Sequence, residues 1–357
     1  MNEKFLKSLP ITTGHQRLAV DNCIALFLVG SHLYGTNYVN SDLDYEGIYI
    51  EPPEYIIGSK SCDEVDFSTK SNSKNSAKNT PKDIDCKMYS LKNYFALAQK
   101  NNPNKVEFFF IPPRNTIYLN EKYWNQIVEA KDLFLSLKIR HSFQGYAFAQ
   151  KKKLITKKKR LEELREFVSA LEKADLWNNH LDKCFPVGKE KRKTIGDIFD
   201  FRQGAAWPYK FIERTITLEG SPALRVQEKE FNSGMDAAII YEHAKGIINS
   251  YGKRVKDLDD SGYDLKFASH IFRLYYEGLQ LLKEGTITFP LIENNFLLAV
   301  KRGDYTLEEI LKRADEFEPL FDLAYQQSKL RHSPDQDGIS KLQTKMYLDY
   351  WREKGFI

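Results

Sequence analysis

The chain has 357 residues, enough for two or three domains of ordinary size. Its 42% hydrophobic content can fill a core, and 53 Lys and Arg against 49 Asp and Glu leave a net charge of +4. That balance excludes a histone-like polybasic protein and an acidic tail protein, but a mean charge can hide a local cluster. The N-terminal stretch lacks the apolar core of a signal peptide, and no run of about 18 apolar residues offers a transmembrane helix. Cys23, Cys62, Cys86 and Cys184 are far apart and form no CxxC pair, so no zinc site is expected. These features point to a cytoplasmic protein without a membrane partner.

The first element is the uninterrupted apolar run 23–29, a strand buried on both faces that ends at Gly30-Ser31. A second strand is expected over 43–50, stopped by Pro52-Pro53. Residues 59–82 are rich in Ser, Lys and Asn and read as a mobile surface loop. A third strand follows over 83–89, and Ser90 is placed to cap a helix over 91–100. Residues 106–111 read as a further strand. Beyond Pro112-Pro113 helical periodicity dominates, with Leu161, Leu164, Phe167, Val168 and Leu171 on one face. Thr306 and Glu309 form a capping box, and loops are expected near 184–196 and 219–234. The expected fold class is α+β: a domain over 1–130 with a small mixed sheet, then a mainly helical domain over 131–357.

Chemistry concentrates between residues 30 and 44. The buried first strand delivers the Gly-Ser turn, and the second opens with Asp42-Leu43-Asp44. Strand side chains alternate faces, so Asp42 and Asp44 share one, about 7 Å apart. Such a pair suits a hard divalent cation, and Mg²⁺ typically takes one or two carboxylates plus substrate phosphates. Gly30 permits close backbone approach, and the Ser31 hydroxyl and nearby amides can grip a phosphate. A two-metal site needs a third carboxylate. Asp85 meets that need if its strand lies beside the second one; Asp83 shares its face and stays open as the alternative.

A Gly-Ser, a spacer of around ten residues, an Asp-x-Asp and a third Asp on a later strand together resemble the DNA polymerase β-like nucleotidyltransferase superfamily. Further blocks resemble its RlaP group, found in bacteria and phages and associated with RNA ligases and RNA repair. They are Asn102-Pro103-Asn104-Lys105-Val106-Glu107, Phe134-Leu135-Ser136 with Phe143-Gln144-Gly145-Tyr146-Ala147, Gly262 through Leu274, and Glu284-Gly285 before a strand-like 286–290. His32 takes the place of an Arg found in relatives. The resemblance implies an enzyme that transfers NMP from an NTP to a hydroxyl with two Mg²⁺ ions, or Mn²⁺ in their place, held by Asp42, Asp44 and Asp85. It implies an RNA 3′ end, such as a cleaved tRNA, as acceptor, and an RNA ligase as functional partner. Transfer to a protein or small-molecule hydroxyl, and a nucleotide- or RNA-binding protein without catalysis, are the alternatives.

Two cationic features complete the reading. Lys266, His270 and Arg273 fall at i, i+4 and i+7 of an expected helix, a stripe suited to a triphosphate alongside Gly30 and Ser31. Lys151, Lys152, Lys153, Lys157, Lys158, Lys159 and Arg160 crowd one ten-residue segment without an acid. Without these seven charges the remainder is 46 basic against 49 acidic, or −3, so this segment alone makes the chain positive. Such a run suits an RNA backbone, with Phe143, Tyr146 and Phe148 nearby to stack on bases, and Lys189 to Lys193 adds a smaller cluster. Glu107, in an aromatic-rich segment, reads as the partner of a buried cation rather than a fourth acid of the cleft.

Overall fold

The computed structural model describes residues 3–68, 84–174, 193–252 and 254–357. The expectations for Asp83, for 69–82 of the surface loop, and for 184–192 with Cys184 and the cations 189–192 lie outside these residues. The chain divides into two compact units, Met1–Gln150 with Ala268–Ile357, and Lys151–Phe267. This division differs from the expected 1–130 and 131–357.

The first unit is organised by a five-stranded mixed sheet. Its strands are β1 (Cys23–Leu28), β2 (Leu43–Tyr49), β3 (Glu64–Asp66), β4 (Ile84–Ser90) and β5 (Thr116–Leu119), in the order β3-β4-β2-β1-β5. β2 and β4 run parallel, and the other pairs are antiparallel. β1 lies between β2 and β5, and its Ile24, Ala25, Leu26 and Phe27 are buried, as an unbroken apolar strand requires. Ser90 caps the helix Leu91–Ala98, its side chain accepting from Asn93 N at 3.1 Å. Within 59–68, Val65 and Phe67 are buried and β3 extends the sheet, so this part of the expected loop is an edge of the core.

Two expected strands are absent. Residues 103–110 form a helical turn, Pro103–Val106, that runs into a 3-10 turn, Glu107–Phe110. Pro103 sits in the first helical turn and the Asn102 side chain accepts from Asn104 N at 3.1 Å, so the segment starts as a helix. Consecutive Phe108 and Phe109 are both buried, which suits a turn wrapped in the core better than a half-buried strand. Residues 286–290 join no sheet; Thr288 N–H is satisfied by Gln280 Oε1 at 2.9 Å instead of a ladder.

Residues 268–357 complete the first unit by packing against the sheet. On the helix Gln336–Lys354, Tyr347 donates to Glu51 Oε2 at 2.7 Å and Trp351 Nε1 to Glu51 O at 2.8 Å. Tyr350 donates to Asn22 Oδ1 at 3.1 Å. Glu51 and Asn22 are buried, so these donors satisfy groups that water cannot reach.

The second unit contains a three-stranded antiparallel sheet of β6 (Ile212–Ile216), β7 (Pro222–Val226) and β8 (Lys229–Asn232). Ile212, Leu224 and Phe231 pack with Leu164, Phe167 and Leu171 of the helix Lys138–Lys173 and with Ile240 and Tyr241 of the helix Ala237–Ser250. The segment 219–234, read as a loop, therefore holds two strands. Its β7–β8 turn carries Gln227 at φ 57°, a left-handed position without the usual Gly or Asn signal. The class is α+β, with a small mixed sheet and a helical C-terminal region. No helix among the described residues is long and apolar enough to cross a membrane.

Candidate active site

The site grows from the end of β1. Val29 N donates to Asp44 O at 2.8 Å, tying the exit of β1 to the start of β2. Gly30 then turns the chain at φ 65°, and Ser31–Tyr34 forms a single helical turn closed by Gly35 at φ 73°. A Cβ on Gly30 would collide with Asp44 Oδ2 and lie 3.1 Å from its Cγ. Gly30 is thus required twice, for its backbone angle and for the space that the Asp44 carboxylate fills.

The acidic face belongs to β2 and β4. In the parallel register Asp44 pairs with Asp85, and Glu46 with Lys87. Paired residues on neighbouring strands point to one face with backbones about 4.8 Å apart, so the carboxylates of Asp44 and Asp85 are neighbours. Asp42 stands one residue before β2, and all three aspartates are partly exposed. Ser68 Oγ donates to Asp85 Oδ1 at 2.9 Å. Glu46 pairs with Lys105, whose ammonium lies 3.7 Å from the ring centroid of Tyr89 and 4.9 Å from that of Phe108. Lys87 pairs with Glu64 at 2.8 Å. Sequence reasoning missed Glu46 and Lys105. Glu46 had a signal, since it lies two residues beyond Asp44 on the same strand face.

Oxygen-only donors on one strand face match the chemistry of Mg²⁺ or Mn²⁺. Among the described residues, however, no group of three or more His, Cys, Asp or Glu side chains is gathered closely enough to hold a metal ion unaided.

The stripe expected to grip the triphosphate spans the rim and the core side of its helix. The helix Leu265–Glu284 forms as expected, with Lys266 exposed and His270 half-buried. Arg273 is only 4% exposed. Its Nη1 donates to Tyr34 Oη and, at 3.2 Å, to Glu107 Oε2, while Nη2 donates to Asn104 Oδ1 at 3.0 Å. Both of its Nη groups are engaged by protein groups while its buried Nε has no hydrogen-bond partner, because the residue falls on the core side of the helix rather than at its rim. Glu107 is the partner of a buried cation, as its sequence setting suggested. Tyr34 also donates to Glu107 Oε2 at 3.0 Å. Burial opposes the charge on Arg273, but Glu277, Tyr34 and Glu107 more than offset it and raise its pKa. Burial likewise pushes the carboxyls of Glu107 and Glu277 above the usual range, although Arg273 acts against it.

The basic segment lies on one continuous helix, Lys138–Lys173. Lys152, Lys153, Lys159 and Arg160 are exposed, and Lys151 and Lys158 half-buried. Lys158 lies 3.9 Å from Glu162, and the Arg160 guanidinium 5.2 Å from the Phe211 ring centroid. Lys157 instead pairs with the fully buried side chain of Asp264 and packs 4.5 Å from the Phe267 ring centroid. Helical spacing turns it inward, where it acts as a core cation. Phe143 is fully buried and leaves the set of stacking candidates, whereas Tyr146 and Phe148 are exposed.

An uncharacterized 38.9 kDa protein from the nrdC-mobD intergenic region of Enterobacteria phage T4 is 26% identical over 293 residues, which cover 79% of this chain and 84% of that protein. No solved structure matches the chain. Residues 15–168, which contain the whole five-stranded sheet and its aspartates, match the model of RlaP, the RNA repair pathway DNA polymerase beta family, which is the family the sequence resembles.

Proposed function

We propose that this protein is a nucleotidyltransferase that moves NMP from an NTP to the hydroxyl of an RNA 3′ end, a cleaved tRNA being one such end, and releases pyrophosphate. The observation that carries the reading is the pairing of Asp44 with Asp85 in register while Gly30 abuts the Asp44 carboxylate. A phosphate-binding turn and an acidic strand face then meet at one carboxylate.

Asp42, Asp44 and Asp85 are the residues that would hold two Mg²⁺ ions, or Mn²⁺. When bound, the metal offsets triphosphate charge and lowers the pKa of the attacking hydroxyl. The Ser31 hydroxyl and the amides following Gly30 grip the triphosphate, and half-buried His270 is a further phosphate donor. The new bond joins the acceptor oxygen to the α-phosphorus, and the bond to the β-phosphate oxygen breaks with its electron pair. In such displacements the protein chiefly positions groups and balances charge. Lys152, Lys153 and Lys159 offer the exposed cations for an RNA backbone. An RNA ligase acting on the same ends is the functional partner the resemblance implies.

The test offers the purified protein each of the four α-labelled NTPs with Mg²⁺, against total RNA, protein and small hydroxyl acceptors. Label in RNA supports the reading. Label only in protein or small acceptors overturns the RNA assignment, and no transfer with any acceptor overturns the activity.

A further inference from the structure

Arg273, Glu107 and Tyr34 have no part in the chemistry above, yet they form a dense buried polar group. Arg273 and Glu107 are 4% and 2% exposed. Burying charge in this way is costly, and a well-packed apolar set of similar volume is often at least as stable. The arrangement therefore calls for a role beyond stability.

Its geometry indicates one. Tyr34 ends the turn that begins at Gly30-Ser31. That turn is a single helical coil between two glycines of positive φ, held within itself by Leu33 N to Gly30 O at 3.0 Å and Tyr34 N to Gly30 O at 3.2 Å. So short a coil does not fix its own conformation, because nucleation costs more than one or two hydrogen bonds return. Residues far along the chain hold it instead. Arg273 Nη1 donates to Tyr34 Oη, and the guanidinium lies 4.6 Å from the Tyr34 ring centroid. Leu291 N donates to Tyr34 O at 3.2 Å, and Lys301 Nζ to Thr36 O at 2.9 Å. Arg273 is in turn fixed by Glu107 at 3.2 Å, by Asn104 at 3.0 Å and by Glu277 at 3.6 Å.

We propose that Arg273 is a positioning residue, which through the Tyr34 hydroxyl holds the Ser31–Tyr34 turn in the shape that receives a triphosphate. The proposal rests on the nucleotidyltransferase reading. It gives Arg273 an indirect part in phosphate binding, through the turn and not by contact. Tyr34 and Arg273 then act as one unit, and either alone is insufficient.

The experiment measures binding of inorganic triphosphate with Mg²⁺, and the melting temperature, for the full chain and two variants. Tyr34→Phe removes only the hydroxyl and keeps the Arg273–Glu107 pair. Arg273→Lys keeps the buried charge but cannot reach Tyr34 and Asn104 together. Each variant is expected to remain folded at the assay temperature while melting several degrees below wild type, and to bind triphosphate about tenfold more weakly under conditions where it is fully folded, the effect of losing one charge-assisted hydrogen bond. Wild-type affinity in Tyr34→Phe, or a loss of affinity only in step with a loss of folding, overturns the proposal. If Arg273→Lys does not fold, Tyr34→Phe decides alone. A wild-type chain that binds no triphosphate overturns the nucleotidyltransferase reading itself, and that outcome is read before any variant is compared.

Discussion

At the residue scale, Gly30 makes the strictest demand. An Ala there must adopt φ 65° and place a methyl group against the Asp44 carboxylate. That positive φ with ψ −143° is a region essentially confined to glycine and costs about 1–3 kcal/mol, and the collision must also displace Asp44. Gly30→Ala should therefore lower the melting temperature by several degrees and remove most nucleotidyl transfer; a variant that melts and turns over like wild type would show that the contact is unimportant. A second prediction concerns Glu277, which is fully buried with Arg273, Glu107 and Tyr34 about it. Burial raises its pKa from 4.5 to about 7, against the pull of Arg273. The folded state thus retains a proton that the unfolded chain releases. The associated stability is full below pH 4.5 and is lost as pH rises through about 7. Melting curves should show wild type losing stability relative to Glu277→Gln over that window, and parallel curves would remove the argument. The acidic residues were readable because Gly30-Ser31 and Asp42-Leu43-Asp44 lie within one short stretch. The link from Tyr34 to Glu107 and Arg273 was not, because it joins three distant segments and is made only in the folded core. From sequence, Arg273 showed its helical spacing but not which side of that helix faces the interior.

At the element scale, the helix Lys138–Lys173 separates two kinds of lysine that composition counts alike. Lys157 closes on buried Asp264, with side-chain exposures of 15% and 0%. Lys157→Ala removes the ion-pair partner of a buried carboxylate and should cost about 3–5 kcal/mol, seen as an early thermal transition. The double change Lys152→Ala with Lys159→Ala should leave melting unchanged. It should weaken RNA binding and reduce the salt dependence by a slope of roughly two, as expected for two lost phosphate contacts. Equal RNA affinity and equal slope would exclude this helix as the RNA contact. The helix itself was legible, since Leu161, Leu164, Phe167, Val168 and Leu171 are all buried along the face their spacing marks. The β7–β8 hairpin was silent, because Gln227 takes a turn position usually signalled by Gly or Asn. The segment 106–111 misled because its apolar run is as compatible with a buried turn as with a strand.

At the scale of the whole molecule, the chain order hides how the first unit is assembled. Its sheet lies within residues 23–119, yet residues 268–357 belong to the same unit. Tyr347, Tyr350 and Trp351 supply the hydrogen bonds to Glu51 and Asn22. Each lost partner of a buried acceptor costs about 1–3 kcal/mol. A chain lacking residues 336–357 should therefore melt far below the full chain, and an unchanged transition would refute this closure. The net charge takes on meaning at the same scale: a chain of −3 apart from 151–160 carries its positive sign on one helix. The central claim is that the aspartates flanking the Gly-Ser turn carry out nucleotidyl transfer. Its most direct test is labelled NMP transfer by the Asp42→Asn, Asp44→Asn double variant beside wild type, both confirmed folded by melting. The account predicts robust transfer by wild type and loss of nearly all of it in the variant; transfer retained by the variant would contradict it.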